Sequence, residues 1–302
     1  MKHSRTPLRY AGGKSKAYGF ISTYIPFWPK PKRIISPFIG GGSLEVRWAN
    51  ELDIEVIGYD VFDMLVNFWE VLLSQPQELS KELSKITPDD NTYKEIKEIL
   101  MSLDKTQDML SDWKTDSYKR EDVISLSDLE RASLYYFNHN TSYGPGYLGW
   151  GSSVYLQADK WKQMCKNINN FKCGNLSVKQ ADYRDVIPNH KKDLLYLDPP
   201  YYLKKDTDNK MFKGIYPMRN IPVHHDGFDH EKLRDMLHNH EGSFVLSYNN
   251  CETIRNYYSD FHQVFPKWSY SMGNGETRIG KNRKEMGIDN QKASHEILII
   301  KE

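Results

Sequence analysis

Cysteine is scarce. Only Cys165, Cys173 and Cys251 occur in 302 residues, an odd number at irregular spacing. Such a set is neither a disulfide framework nor a zinc site, and a reducing compartment is its natural setting. An excess of one charge is missing too. The 41 Lys and Arg against 40 Asp and Glu leave a formal net charge of +1. That excludes a uniformly basic nucleic-acid binder, so any nucleic-acid site must be a local patch. No apolar run approaches the ~20 residues that a membrane span needs. The opening MKHSRTPLRY holds no apolar signal stretch. The expectation is a cytoplasmic protein without a membrane partner. Internal repeats and low-complexity tracts are also absent. With 39% hydrophobic and 27% charged residues, the chain can bury a core as one large domain or as a core with an insert. The 20 Tyr and 7 Trp suit either an aromatic-heavy core or stacking on flat rings.

Five short apolar runs punctuate the chain: 33–36, 55–59, 193–197, 243–247 and 296–300. They are continuous rather than alternating, the pattern of strands covered on both faces in a parallel sheet. Helical patterns lie between them, as at 229–238 with Leu233, Met236 and Leu237 on one side. The fold class implied is an α/β open sheet. The stretch 75–130 differs, because it is rich in Lys, Glu and Asp with apolar residues at helical spacing. Leu79, Leu83 and Ile86 form one stripe, and Tyr93, Ile96 and Leu100 another. Ser127 and Glu130 form a capping-box pattern before Leu134 and Phe137. Residues 75–165 therefore read as a mainly helical insert. Its inner end, 138–151, reads as a glycine-rich loop with Tyr143, Tyr147 and Trp150 exposed.

Three motifs carry the chemistry. Pro37-Phe38-Ile39-Gly40-Gly41-Gly42-Ser43 follows the first strand and precedes a helical run at 44–50. A glycine loop there lets backbone approach a ligand, although a plain tight turn uses the same residues. Asp60 ends the next strand, 18 residues after Gly42, where an acid can take ribose hydroxyls. A dinucleotide site wants a small residue where Glu45 stands. The second motif, Asp198-Pro199-Pro200-Tyr201, ends the most apolar strand, the edge where open α/β sheets place active sites. Two prolines remove two N–H donors and leave only acceptor oxygens. Such a ledge suits a substrate that offers two N–H groups, an exocyclic amine, with Tyr201 as a flat face for a planar base. The third is Tyr10-Ala11-Gly12-Gly13-Lys14, which alone is no more than a basic turn.

In this order, and with the helical insert before Asp-Pro-Pro-Tyr, the motifs resemble the Dam-like, D12-class α-group of DNA adenine-N6 methyltransferases. The resemblance covers about 1–70 and 175–302. It implies a Rossmann-like S-adenosylmethionine-dependent methyltransferase sheet (1–74 and 166–302) and an inserted helical target-recognition domain (75–165). Tyr10, Ala11, Gly12, Gly13 and Lys14 match the N-terminal motif that helps hold S-adenosylmethionine. Pro37, Phe38, Gly40, Gly42 and Ser43 match the loop around its methionine part, and Asp60 the ribose-binding acid. Asp182-Tyr183 looks like the pair against the cofactor adenine, with Ala181 in place of the usual Gly and Tyr183 in place of Phe. Asn138 and Tyr143 resemble an element that approaches DNA, although Gly149-Trp150-Gly151 stands where an arginine is expected. Ser247-Tyr248-Asn249 is similar to a strand end of the family, while Gly275-Glu276-Thr277-Arg278 and His295-Glu296 look like its final loop and strand. Asp198, Pro199, Pro200 and Tyr201 are the implied catalytic group, acting on an adenine flipped out of double-stranded DNA. S-adenosylhomocysteine is the implied product, with no metal required. A cognate restriction endonuclease is an expected partner, and the enzyme would work as a monomer or weak dimer.

Basic residues gather at 267–292, where Arg278, Lys281 and Arg283 are placed to track phosphates. The long run 204–227 reads as a lid. His224, His225, His230, His238 and His240 crowd one stretch, but their spacing matches no zinc pattern. Other readings keep the sheet and change its role. They are methylation of RNA adenine or of cytosine N4, a non-catalytic sequence-specific DNA-binding module, and a nucleotide-dependent oxidoreductase.

Overall fold

A computed structural model describes residues 5–10, 12–26, 30–103, 126–144, 146–202, 228–266 and 296–302. The apolar runs become strands β1 (Arg33–Ser36), β2 (Glu55–Asp60), β4 (Leu194–Leu197), β5 (Phe244–Asn249) and β7 (Glu296–Lys301). The sequence reading missed two others, β3 (Leu176–Gln180) and β6 (His262–Val264). Both are edge strands, covered less completely than the central ones, so neither carries a continuous apolar run. The seven strands lie in the order β3-β2-β1-β4-β5-β7-β6. β1 to β5 pair in parallel, whereas β7 is antiparallel to both β5 and β6.

Alternate side chains of each strand enter two different cores. Ile34, Val56, Leu194, Tyr196, Val245 and Leu298 point into one; Ile35, Ile57, Leu195, Leu197, Leu246 and Ile297 into the other. Each such aliphatic side chain contributes roughly 1.5–3 kcal/mol when fully buried. That is why these runs are apolar at every position. The second core is roofed by helices Tyr183–Asn189, His230–His238 and Glu252–Tyr257. The first also takes in the helices of the 75–165 stretch. Leu79, Leu83, Tyr93, Ile96, Leu100, Tyr136, Phe137 and Trp161 lie in one continuous cluster with the sheet. These helices are Pro76–Leu83, Asp90–Leu103, Asp128–Thr141 and Ala158–Asn169. The capping box forms as expected, with Ser127 accepting from Glu130 N and the Glu130 side chain accepting from Ser127 N.

Two expectations about 138–151 are corrected. Asn138 to Thr141 form the last turn of the helix Asp128–Thr141 and not a loop, because their side chains are buried against the N-terminal segment. Tyr147 is buried, not exposed; its ring packs against Phe62 and Tyr135 and its hydroxyl reaches Leu100 O. Tyr143 and Trp150 are exposed, at 64% and 77%. Among the described residues no helix is long and apolar enough to cross a membrane.

A candidate active site where the strand order reverses

β1 and β4 are neighbours, and the chain leaves them in opposite directions along the sheet. The crevice at such a switch point is where open α/β sheets bind ligands. Here it brings the glycine loop after Ser36 and the Asp-Pro-Pro-Tyr ledge after Leu197 side by side, although 160 residues separate Ser36 from Tyr196.

Gly40 and Gly42 in the loop have φ of +46° and +59°, a region that suits glycine. A Cβ on Gly41 would lie 2.4 Å from Tyr10 Cβ, and one on Gly42 2.7 Å from Trp69. The close approach that demands glycine is therefore to the protein's own aromatic rings. Trp69 Nε1 donates to Gly40 O (3.0 Å), and Asp60 Oδ2 accepts from Gly40 N (3.2 Å). Asp60 Oδ1 accepts from Phe62 N (3.0 Å), so Asp60 pins the loop from the end of β2. Ser43 Oγ accepts from Lys14 N (3.0 Å) and ties the loop to the N-terminal motif. Pro37 is buried beneath, while Phe38, Tyr183 and Phe228 form an aromatic cluster on the other face of the rim, with centroids 5.1–5.6 Å apart. Asp182 caps the helix Tyr183–Asn189 and binds Arg184, which with burial opposing it keeps the carboxyl below its ordinary range. Gly12, at φ +74°, has open space on its Cβ side; Gly13 N bonds Tyr10 O. Ala11 lies outside the described residues.

The Lys14 side chain reaches the Asp-Pro-Pro-Tyr ledge. Its ammonium is buried at 2% exposure and lies on Asp198, with Nζ 3.0 and 2.8 Å from Oδ1 and Oδ2. It also donates to Tyr201 Oη (3.0 Å) and Gly12 O (3.1 Å) and lies 3.4 Å from Glu296 Oε1. The Tyr201 hydroxyl in turn donates to Glu296. Burial raises the Asp198 carboxyl to about 6; Lys14 pulls it down and Glu296 pushes it up. Behind the ledge, Glu45 is fully buried. It accepts from Ser36 Oγ (2.8 Å) and Leu44 N (3.2 Å), and burial raises it to about 7. Asn249, at the end of β5, clamps the ledge: its Oδ1 accepts from Tyr202 N (2.8 Å) and its Nδ2 donates to Tyr202 O (2.9 Å).

The result is a rim of oxygen acceptors around one ammonium, next to a glycine loop pinned by an aspartate. Residues 10–272 match the family of D12 class N6 adenine-specific DNA methyltransferases. The chain belongs to that family. A comparison with curated proteins finds no match. The enzyme is thus an adenine-specific DNA methyltransferase, a class of transferase that generally uses S-adenosylmethionine.

In this methyltransferase the N-terminal motif is fastened to the helical part. The Arg9 side chain donates to Asn140 O (2.6 Å) and Ser142 O (3.2 Å), and its guanidinium lies 3.3 Å from the centre of the Tyr155 ring. Tyr10 stacks on His139, whose Nε2 bonds Arg9 O (2.8 Å). The chain then turns outward: Tyr143 N bonds Trp150 O (2.7 Å) across the Ser142–Gly151 bridge, and both rings face solvent. Asn138 is corrected. It is fully buried, and its Oδ1 accepts from Leu148 N (2.7 Å), so it shapes this loop and presents no surface. Arg278, Lys281 and Arg283, the 204–227 run, His224 and His225 lie outside the described residues. His230 bonds the Tyr248 hydroxyl, His238 meets Arg234 O and Asp260, and His240 binds Asp193 O. Among the described residues no group of three His, Cys, Asp or Glu could hold a metal ion.

Glu296 is the residue that sequence reasoning undervalued. It opens an apolar run whose direction is unreadable in the sequence. Only because β7 is antiparallel, pairing Glu296 with Asn249, does its first residue reach the rim that carries Asp198.

Proposed function

We propose that the enzyme transfers a methyl group from S-adenosylmethionine to N6 of an adenine flipped out of double-stranded DNA and releases S-adenosylhomocysteine. The observation that carries this reading is the Asp198 carboxylate held on a proline-stiffened strand end beside the glycine loop. The residues fit a cationic methyl donor: Asp198 and Glu296 flank the Lys14 ammonium, Glu45 is buried near Asp198, and the excess of acid favours a sulfonium. Tyr10, Gly12, Gly13, Pro37, Phe38, Gly40, Gly42, Ser43, Asp60, Asp182 and Tyr183 would line its site, with Ala11 in the same motif.

When bound, S-adenosylmethionine supplies an electrophilic methyl group on positively charged sulfur. The chain's own part is orientation and electrostatics. Asp198 and the Pro199 carbonyl each accept one N6–H, which draws the amine lone pair out of the ring plane and aims it at the methyl carbon. With the donor bound, this orientation would let the amine nitrogen take the methyl group in line, the electron pair of the broken C–S bond staying with the sulfur. The methylated nitrogen then loses a proton, with Asp198 as the nearest acceptor. Pro200 stiffens the ledge, and Tyr201 offers the base its ring. In this reading 75–165 is the recognition part, presenting Tyr143 and Trp150 to DNA, and Arg278, Lys281 and Arg283 track phosphates.

Methyl transfer from tritiated S-adenosylmethionine to unmethylated plasmid DNA tests the proposal. N6-methyladenine as the product supports it; N4-methylcytosine or no incorporation refutes it. Sequencing the modified DNA at base resolution then gives the recognition site.

A further inference from the structure

Among the described residues, Lys14 Nζ has around it both oxygens of Asp198 (3.0 and 2.8 Å), Tyr201 Oη (3.0 Å), Gly12 O (3.1 Å) and Glu296 Oε1 (3.4 Å). An ammonium has three N–H bonds, so the group is over-supplied with acceptors. Both Asp198 oxygens, one of which a target amine needs, are engaged by Lys14. The ledge already holds an N–H donor of its own, and a buried ammonium does not leave a carboxylate without another anion to receive it. Glu296 is that anion. It is 5% exposed. It is held by the Tyr201 hydroxyl and fixed in place by the β5–β7 pairing.

We propose that Lys14 is a resident ammonium that occupies the amine position on Asp198 in the free enzyme, and that Glu296 is the positioning residue that receives Lys14 when the target amine takes its place. The proposal rests on the adenine-methylation reading above. It adds a substitution of one N–H donor for another on Asp198, with Lys14 paired throughout. No proton or electron changes hands in this step. Tyr201 connects the two states, since its hydroxyl accepts from Lys14 and donates to Glu296. A base stacked on its ring is thereby coupled to the position of the ammonium.

The test compares wild type, E296Q and E296D in single-turnover methyl transfer to unmethylated plasmid DNA, with S-adenosylmethionine affinity measured by calorimetry. Glutamine keeps an acceptor for Tyr201 but has no charge to draw Lys14 off Asp198. E296Q should slow methyl transfer about 10- to 100-fold, with cofactor affinity within about threefold of wild type. E296D should recover most of the rate. A wild-type rate in E296Q, or equal loss in E296Q and E296D, would overturn the proposal. A second measurement needs no variant of Glu296. In 15N-lysine-labelled wild type, the Lys14 Nζ resonance, assigned by its loss in K14R, should shift when S-adenosylhomocysteine and a short duplex carrying the sequenced target are added together. An unmoved resonance would also overturn it. Wild type that fails to methylate adenine defeats the functional reading itself, whereas active wild type with an indifferent E296Q defeats only this inference.

Discussion

Asp198→Asn separates a catalytic carboxylate from a structural one. Asparagine keeps the shape, removes the charge and turns one acceptor oxygen into an NH2 donor facing the target's own N–H. A hydrogen bond to a charged group contributes about 1.5–3 kcal/mol, and losing one preorganised group in an active site costs about 10²- to 10³-fold in rate. At about 1.4 kcal/mol per tenfold, the two estimates overlap near 3 kcal/mol. The fold should survive, because Lys14 still has Glu296, Tyr201 and Gly12 O within reach. The expected outcome is single-turnover methyl transfer slowed about 10²- to 10³-fold. S-adenosylmethionine affinity should stay within about threefold and the melting temperature near wild type. A D198N rate within tenfold of wild type would refute the reasoning, since an amide keeps one acceptor oxygen but carries no charge to stabilise the developing ammonium.

Other outcomes follow from the same geometry. Methyl transfer should rise with pH through about 6 as the Asp198 carboxyl ionises, and a flat profile from pH 5 to pH 8 would contradict that assignment. Glu45 is raised in the folded state, so its contribution to stability is full below its ordinary value of 4.5 and lost as pH rises through about 7; the loss is about 3 kcal/mol. E45Q should therefore gain on wild type in denaturant melts at pH 8 and not at pH 4.5; equal differences at the two pH values would sink the argument. W150A and Y143A should each weaken DNA binding about tenfold, as loss of a stacked ring does, while cofactor affinity is unchanged; unaltered DNA affinity in a filter-binding assay removes these rings from the interface. G42A forces a Cβ to 2.7 Å from Trp69 at a φ of +59°. It should destabilise the protein by about 2 kcal/mol in a melt, and wild-type stability would show that Trp69 yields.

Much of this enzyme was readable without coordinates. The apolar runs announce β1, β2, β4, β5 and β7 because a strand covered on both faces must be apolar at every position, a local requirement. The capping box at Ser127 and the stripes at Leu79, Leu83, Tyr93, Ile96 and Leu100 were legible for the same reason. The edge strands β3 and β6 were not, since an edge relaxes that requirement.

What the amino-acid order determined by itself was the central strands, the helical stripes, and the motifs with their family likeness, each carried by neighbours within a few residues. What only tertiary structure decided was which groups meet. Lys14 reaches Asp198 across 184 positions, and Glu296 arrives at the same rim because its strand runs backwards. Tyr147 turns inward while Tyr143 and Trp150 turn out. Those outcomes depend on strand direction and on competition for buried space, and neither is written in any short stretch of chain.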